Sequence, residues 1–366
     1  MKKIDKSCIK PLFLGSVYLG TGGGGKTNNA VYLLEELFSS NVSIPLISCR
    51  ELENDKYYAG TGLVGSPTLL DDFLFSGHES MPSIRELAKI TNSEIAGLYT
   101  LECAGINALY PLFTAALSGL PLIDGDCIST AFPELQMTTL HINNIPLSPF
   151  CLSDIRGNVT TFYEEDTFML ELKIRNHLAS YSNVGFFSCG MLKGEALKRS
   201  MIPNTVTHAM EIGKVFMECT DYSDLLSRLV TVTKNSIYGA AIELFKGKIL
   251  EIDDATNDNW QILKIRGIES YSSDNYRIIM KNEFIAGFKN DSISVMVPDL
   301  ISLIDVDTLM PVDISELKPQ MKVSVIGMPA PLPLKTPTAL SIVGPSSFGY
   351  KRTYKSLEEL YFDYYY

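Results

Sequence analysis

The sequence predicts an α/β N-terminal domain with a partly parallel sheet, followed by a β-rich α+β C-terminal domain packed closely against it. Three observations predict this. Up to about residue 125 short apolar runs alternate with helix-period segments and glycine-rich turns, which is the pattern of strand–helix–strand units. After about residue 185, and mostly beyond 240, apolar and polar residues alternate as they do in paired strands. With 366 residues, 46% of them hydrophobic and 20% charged, the chain has room for about two folded domains. The boundary is expected near 165, giving an α/β domain over 1–165 that carries the functional site and a mixed, β-rich domain over 166–366.

Taken in order, Ile9–Leu19 has helix-like spacing and runs into Leu19–Thr27, where five of nine residues are glycine. So dense a run is a conformational liability unless the backbone itself is needed at close range. Ala30–Ser39 follows as an amphipathic helix, with Asn28 or Asn29 as its cap. Ser43–Ser48 reads as a strand, Gly60–Pro67 as a second glycine-rich turn, and Ser83–Thr91 as a helix. Gly97–Glu102 is a strand, Ala108–Ser118 an apolar helix closed by Gly119, and Pro121–Asp124 a buried strand. Thr138–Ile142 resembles a strand, Asp154–Asn158 a polar turn and Thr167–Tyr181 a helix. Met191–Met201, Thr205–Cys219 and Tyr222–Thr233 read as helices. Ala241–Ile252, Trp260–Ile268, Tyr276–Phe288 and Ile293–Asp305 read as strands, and Val323–Ile326 and Ala339–Val343 continue that habit.

Composition excludes several functions. Forty-two acidic against 31 basic residues give a net charge of −11 with no basic cluster, which argues against nucleic acid or an anionic membrane as partner. No apolar run approaches the roughly 20 residues that span a bilayer, and no export signal follows the N-terminal lysines. Seven scattered cysteines, an odd number with no C-x-x-C pair, suit reduced thiols, so a cytoplasmic protein is expected. Four histidines show no metal-ligand spacing. A carboxylate metal site stays open, and no motif names a cofactor.

The glycine run fits two phosphate motifs. Gly20, Gly22 and Gly25 match G-x-G-x-x-G, and Gly20 to Thr27 match G-x-x-x-x-G-K-T letter by letter. A P-loop needs a strand before it, however, and Ile9–Leu19 is only weakly strand-like. The dinucleotide motif also lacks its first strand and a clear acidic residue after the second. A tight helix–helix junction explains the glycines more simply than either.

In α/β sheets ligands lie at the carboxyl ends of the strands, where Glu102, Asn107, Asp124 and Asp126 fall. Asp124 and Asp126, one residue apart, project to the same side of an extended strand end. Like charges that close raise one pKa, which suits acid/base work or a bound cation, although Asp-Gly-Asp is equally good turn chemistry. Glu134, among apolar residues after Pro133, needs a partner if buried. Cys103 and Cys127 each follow a carboxylate that raises a thiol pKa, so both read as packed hydrophobes.

Several phrases in order carry a resemblance: Leu19-Gly-Thr-Gly-Gly-Gly-Gly25, Gly65-Ser-Pro-Thr68, Ala104-Gly-Ile-Asn107, Gly119-Leu-Pro-Leu-Ile-Asp124, Ala131-Phe-Pro-Glu-Leu-Gln-Met137 and Asp154-Ile-Arg-Gly-Asn158. Leu244-Phe-Lys-Gly-Lys248, Asn282-Glu283, Val297-Pro-Asp-Leu-Ile301 and Gly344-Pro-Ser-Ser-Phe-Gly-Tyr350 continue it. From about Leu12 to Tyr354 the chain resembles the S-methyl thiohydantoin desulfurase family, formerly a domain of unknown function associated with hydantoinase/oxoprolinase proteins. Lys26-Thr27 departs from the family's pattern, which makes the P-loop match a coincidence. Cys127–Thr130 and Glu102-Cys103 depart from it as well.

The resemblance implies a hydrolase acting on a small heterocycle, converting a thiohydantoin or S-methyl thiohydantoin ring to a hydantoin with release of a thiol. On that reading Asp124, Asp126 and Glu134 supply acid/base catalysis. Backbone N–H groups of Gly22, Gly23, Gly24 and Gly25 hold the ring carbonyl or developing charge, Asn107 orients the ring, and Gly65 and Ser66 close the pocket. Two alternatives stand beside it: a non-catalytic subunit of a hydantoinase/oxoprolinase-type complex, and a P-loop-like nucleotide-dependent enzyme. The implied partners are the heterocyclic substrate and a hydantoinase/oxoprolinase-type protein, with homo-oligomerisation open.

Overall fold

The computed structural model describes residues 2–25, 28–65, 74, 76–181, 183–254 and 260–366. They form two compact units. The first comprises 1–16, 24–129 and 133–210, and the second 17–23, 130–132 and 211–366.

The first unit is built on a mixed nine-stranded sheet of β1 (Lys2–Ile4), β2 (Ile44–Ser48), β3 (Tyr57–Gly65), β4 (Ile95–Thr100), β5 (Leu122–Asp126), β6 (Phe150–Ser153), β7 (Val159–Phe162), β8 (Val184–Lys193) and β9 (Ile202–Pro203). Their order is β1-β2-β5-β4-β3-β8-β6-β7, with β9 pairing β5. β2, β5, β4 and β3 run parallel, and β1, β8, β6 and β7 add antiparallel flanks. Helices such as Met81–Thr91 and Ile106–Ser118 supply the crossovers that parallel strands require. Tyr99, Phe150, Phe187 and Leu170 anchor one core cluster, each under 5% exposed.

The glycine-rich segment Gly60–Gly65 is part of the nine-residue strand β3 rather than a turn. Its glycines mark close approach, not chain reversal. A Cβ on Gly60 would meet the Tyr99 ring at 3.1 Å, and one on Gly62 would meet the Phe187 ring at 2.7 Å and Asn107 Oδ1 at 2.8 Å. β8 also goes beyond expectation. Val184–Gly190 is buried throughout, so it shows no alternation, and the helix expected over Met191–Met201 is confined to Gly194–Ser200. Thr138–Ile142 is a short helix, Thr139–Ile142, with the Thr138 hydroxyl accepting from His141 N–H at 3.3 Å.

The second unit holds an eight-stranded antiparallel sheet, ordered β14-β13-β12-β11-β10-β17-β15-β16. The strands are β10 (Ile242–Asp254), β11 (Gln261–Gly267), β12 (Asn275–Met280), β13 (Phe284–Lys289), β14 (Ser292–Met296), β15 (Leu300–Asp305), β16 (Met310–Val312) and β17 (Lys322–Met328). Two stretches expected as single strands are each a pair, broken at Asn282-Glu283 and at Pro298-Asp299. Ala339–Val343 lies in a helix, Pro337–Val343, with Thr336 Oγ1 accepting from Ala339 N–H at 3.1 Å and proline in its first turn, where its missing N–H costs nothing. Among the described residues no helix is long and apolar enough to cross a membrane. None of the seven cysteines is in a disulfide.

Candidate functional site

The segment before the glycines is a helix, Lys6–Leu19, so the strand a P-loop requires is absent there. Lys26, Thr27 and Ser66 lie outside the described residues. The helix crosses Thr205–Glu218 at close quarters: a Cβ on Gly15 would stand 1.8 Å from the Ala209 carbonyl oxygen.

The glycines have separate local reasons. Gly22, Gly24 and Gly25 hold φ of +82°, +83° and +73°, which side chains rarely adopt. In the first unit Gly24 abuts the start of the helix Ile106–Ser118. Its carbonyl accepts from Ile106 N–H at 3.0 Å, and a Cβ on Gly105 would fall 2.1 Å from that oxygen. The loop therefore gives one of its carbonyls to a helix N-terminus, whose first N–H groups have no partner within the helix. In the second unit Thr21 C=O accepts from Phe284 N–H at 2.8 Å and Gly22 C=O accepts from Ile314 N–H at 3.1 Å.

At the carboxyl ends of β4 and β5 the first unit gathers Glu102, Cys103, Asn107, Asp124 and Asp126. Asp126 is 0% exposed. Its Oδ2 accepts from Cys103 N–H at 2.7 Å and from Ser129 N–H at 2.9 Å. Burial pushes its carboxyl up to about 7, and those backbone donors oppose the rise. Thr205, also buried, flanks both Asp126 and Cys103. The Cys103 thiol is raised by burial and then by Asp126 and Asp124, and burial with the same two acids pushes Cys49 up to about 12. Neither thiol is a nucleophile at neutral pH.

Asp124 does different work. Its Oδ1 accepts from Thr207 N–H at 2.9 Å and its Oδ2 from the Thr207 hydroxyl, so it closes the first turn of the helix Thr205–Glu218. Although alternate strand residues share a side, the two aspartates are held by different elements. Asn107 is clamped to β3: Oδ1 accepts from Leu63 N–H at 2.9 Å, and Nδ2 donates to Leu63 C=O at 3.2 Å and to Glu102 Oε1 at 3.3 Å. Glu102, 9% exposed, is a carboxylate that the sequence placed at a strand end without a role. Its tie to Asn107, itself next to Ile106 on which Gly24 rests, is the signal that puts it near the glycines.

Glu134 is exposed, contrary to a buried acid among apolar neighbours, and Gln136 Nε2 donates to its carboxylate. The chain reaches water there because Leu135 N–H and Pro133 C=O are tied by Glu171 and Arg175 on the helix Thr167–Tyr181, leaving Glu134 outward. Gly65 ends β3 with φ +145°, and a Cβ there would meet the Asn183 carbonyl at 2.1 Å. That glycine is demanded by the pairing with β8. Among the described residues no three His, Cys, Asp or Glu side chains are grouped as a metal ion would need.

A mixed α/β unit with acids gathered at the ends of its parallel strands, joined in one chain to an antiparallel β unit, defines the class. The S-Me-THD-like N-terminal domain model matches residues 7–164 and the S-Me-THD-like C-terminal domain model residues 165–357, so the chain belongs to this family. Among solved structures it is similar to a protein from Chromobacterium violaceum, at TM-score 0.83 and 18% identity, covering 98% of this chain and 100% of that one. That likeness shows the fold. No curated protein matches the chain.

Proposed function

We propose that the protein hydrolyses an S-methyl thiohydantoin-like ring at carbon 2, with Asp126 as the base. Water adds to carbon 2, the C–S bond breaks, and the thiolate leaves with a proton, giving a hydantoin and methanethiol. Carbon 2 lies between two ring nitrogens and resists water unless a nitrogen is protonated while water is deprotonated. A carboxyl poised near neutrality serves that exchange, because catalytic efficiency peaks when a group's pKa is near the working pH. The observation that carries the reading is Asp126, fully buried and pushed up to about 7 at the end of a parallel strand.

Asp126 exchanges its proton through the Thr205 hydroxyl beside it. Glu102, held by Asn107, grips a ring N–H, and the backbone N–H groups of Gly24 and Gly25 serve the ring oxygen. Asp124 and Glu134 hold supporting positions, as helix cap and exposed acid. The chain is expected to release a thiol from S-methyl thiohydantoin and none from hydantoin itself, followed with a chromogenic thiol reagent. If no ring yields thiol and a larger hydantoinase/oxoprolinase-type protein co-purifies, the chain is instead an accessory subunit.

A further inference from the structure

Asp154-Ile-Arg-Gly-Asn158 has no part in the reaction proposed above, yet it borders a cavity of about 210 Å³ that belongs wholly to the first unit. The β6–β7 hairpin, the start of β8 and the last turn of the helix Thr167–Tyr181 line it, at the carboxyl end of β6. Along the sheet β6 is four strands from β5 (β5-β4-β3-β8-β6), about 19 Å at the usual strand spacing, so this cavity is separate from the Asp126 site. Ligand pockets usually run from about 300 Å³ upward, and only a small molecule suits this one.

The turn fixes one acid at the cavity. Asp154 Oδ1 accepts from Arg156 N–H at 2.8 Å and Asn158 N–H at 2.9 Å, whereas Oδ2 accepts once, from Asn158 Nδ2 at 2.8 Å. A carboxylate has about four acceptor positions, so the turn leaves one of them on Oδ2. Burial works against the charge, but the Asn158 and Arg156 donors outweigh it and hold the Asp154 carboxyl below its ordinary value. Donating through Nδ2 leaves Asn158 Oδ1 as a second acceptor, and neither that oxygen nor the Thr160 hydroxyl bonds to another described residue. Asp154, Asn158 and Thr160 all line the cavity, and no lysine or arginine does. The other walls are apolar or aromatic. Leu152, Leu178 and Val184 are buried, and the His177 and Tyr181 rings stack with centroids 4.7 Å apart at 24°. Phe162 meets His177 edge-on at 5.6 Å and fixes that ring against the hairpin.

An ammonium has three N–H donors and no acceptor, which matches three acceptors around one fixed negative charge. A tyrosine ring face attracts a cation as well. A carboxylate on the ligand would meet Asp154 and find no cation to pair with. We infer that this cavity binds a small organic ammonium, an amine with a short apolar or aromatic stem and no anionic group. Its charged head sits on Asp154, Asn158 and Thr160, and its stem lies along Leu178 and the stacked rings. The site depends on neither the ring substrate nor Asp126.

The test is calorimetric titration at pH 7 with benzylamine and n-butylamine, with benzyl alcohol and benzoate as the uncharged and anionic counterparts. Wild type should bind at least one amine with Kd below about 1 mM and neither counterpart. Asp154→Asn keeps a side-chain oxygen for the N–H groups of the turn and should weaken amine binding about ten- to a hundredfold, the worth of a charged hydrogen bond. Thr160→Phe fills the cavity, leaves the carboxylate in place and should abolish binding. Absence of amine binding in wild type overturns the inference. So does benzyl alcohol or benzoate bound as tightly as benzylamine, or amine binding unchanged in a folded Asp154→Asn. If Asp154→Asn does not fold, Thr160→Phe decides: binding retained there places the amine elsewhere and overturns the inference, and binding lost upholds it.

Discussion

Asp126→Asn is expected to lower kcat for thiol release by about 10²- to 10⁴-fold, the usual contribution of a positioned acid or base. Folding should survive. Both Cys103 N–H and Ser129 N–H already point at Oδ2, so an asparagine that places its single acceptor there satisfies both donors. The same substitution should change how stability depends on pH. The Asp126 carboxyl stands near 7 in the folded chain against an ordinary value of 3.8, so the folded state binds the proton more tightly. Its favourable contribution is full below about pH 4 and is lost as pH rises through about 7. Above that it leaves a burial penalty on the order of 4 kcal/mol. The asparagine variant carries no such penalty. Urea unfolding at pH 5 and pH 8 should show wild type losing stability over that interval and the variant losing little. Equal slopes in the two proteins would mean that the acid does not titrate in this range.

Gly105→Ala is expected to cost above about 3 kcal/mol of stability. Gly105 has φ +50° and ψ −136°, a conformation closed to alanine at a cost of about 1–3 kcal/mol. Its new Cβ would also fall 2.1 Å from Gly24 O and 2.2 Å from Gly24 C, backbone atoms that move only if the loop moves. Moving them breaks the bond from Ile106 N–H at 3.0 Å and strips the start of the helix. Gly119→Ala is the internal control, with φ +71° and nothing within 4 Å of the added atom. It should cost only the conformational term, about 1 kcal/mol. Similar thermal midpoints for the two variants would show that the Gly24–Gly105 contact is soft.

Much of the fold was legible because periodicity reports burial. Ala108–Ser118 and Thr167–Tyr181 announce themselves by spacing, and the paired strands after 240 by alternation. β8 was not, since a strand buried on both faces loses alternation, and neither was β3, since its glycines make room for Tyr99, Phe187 and Asn107 rather than turns. The start of Pro337–Val343 carried a readable threonine–proline signal that the apolar letters behind it overrode. For the site, the glycine run and the strand-end acids were visible. What was hidden is which partner each residue meets: Thr207 for Asp124, Leu63 for Asn107, and Glu283 for Gly23, where a Cβ would stand 2.7 Å from Glu283 Cγ. Those contacts link segments from tens of residues to 260 residues apart, and spacing along the chain carries no trace of them.

The most direct measurement is the initial rate of thiol release from S-methyl thiohydantoin by the wild-type protein between pH 5 and pH 9. With Asp126 as base, kcat should rise with pH through a single ionisation near 7, because the ionised carboxylate is the active form, and Asp126→Asn should abolish that limb. A kcat that is flat through pH 7, or a limb that persists in Asp126→Asn, would contradict the account.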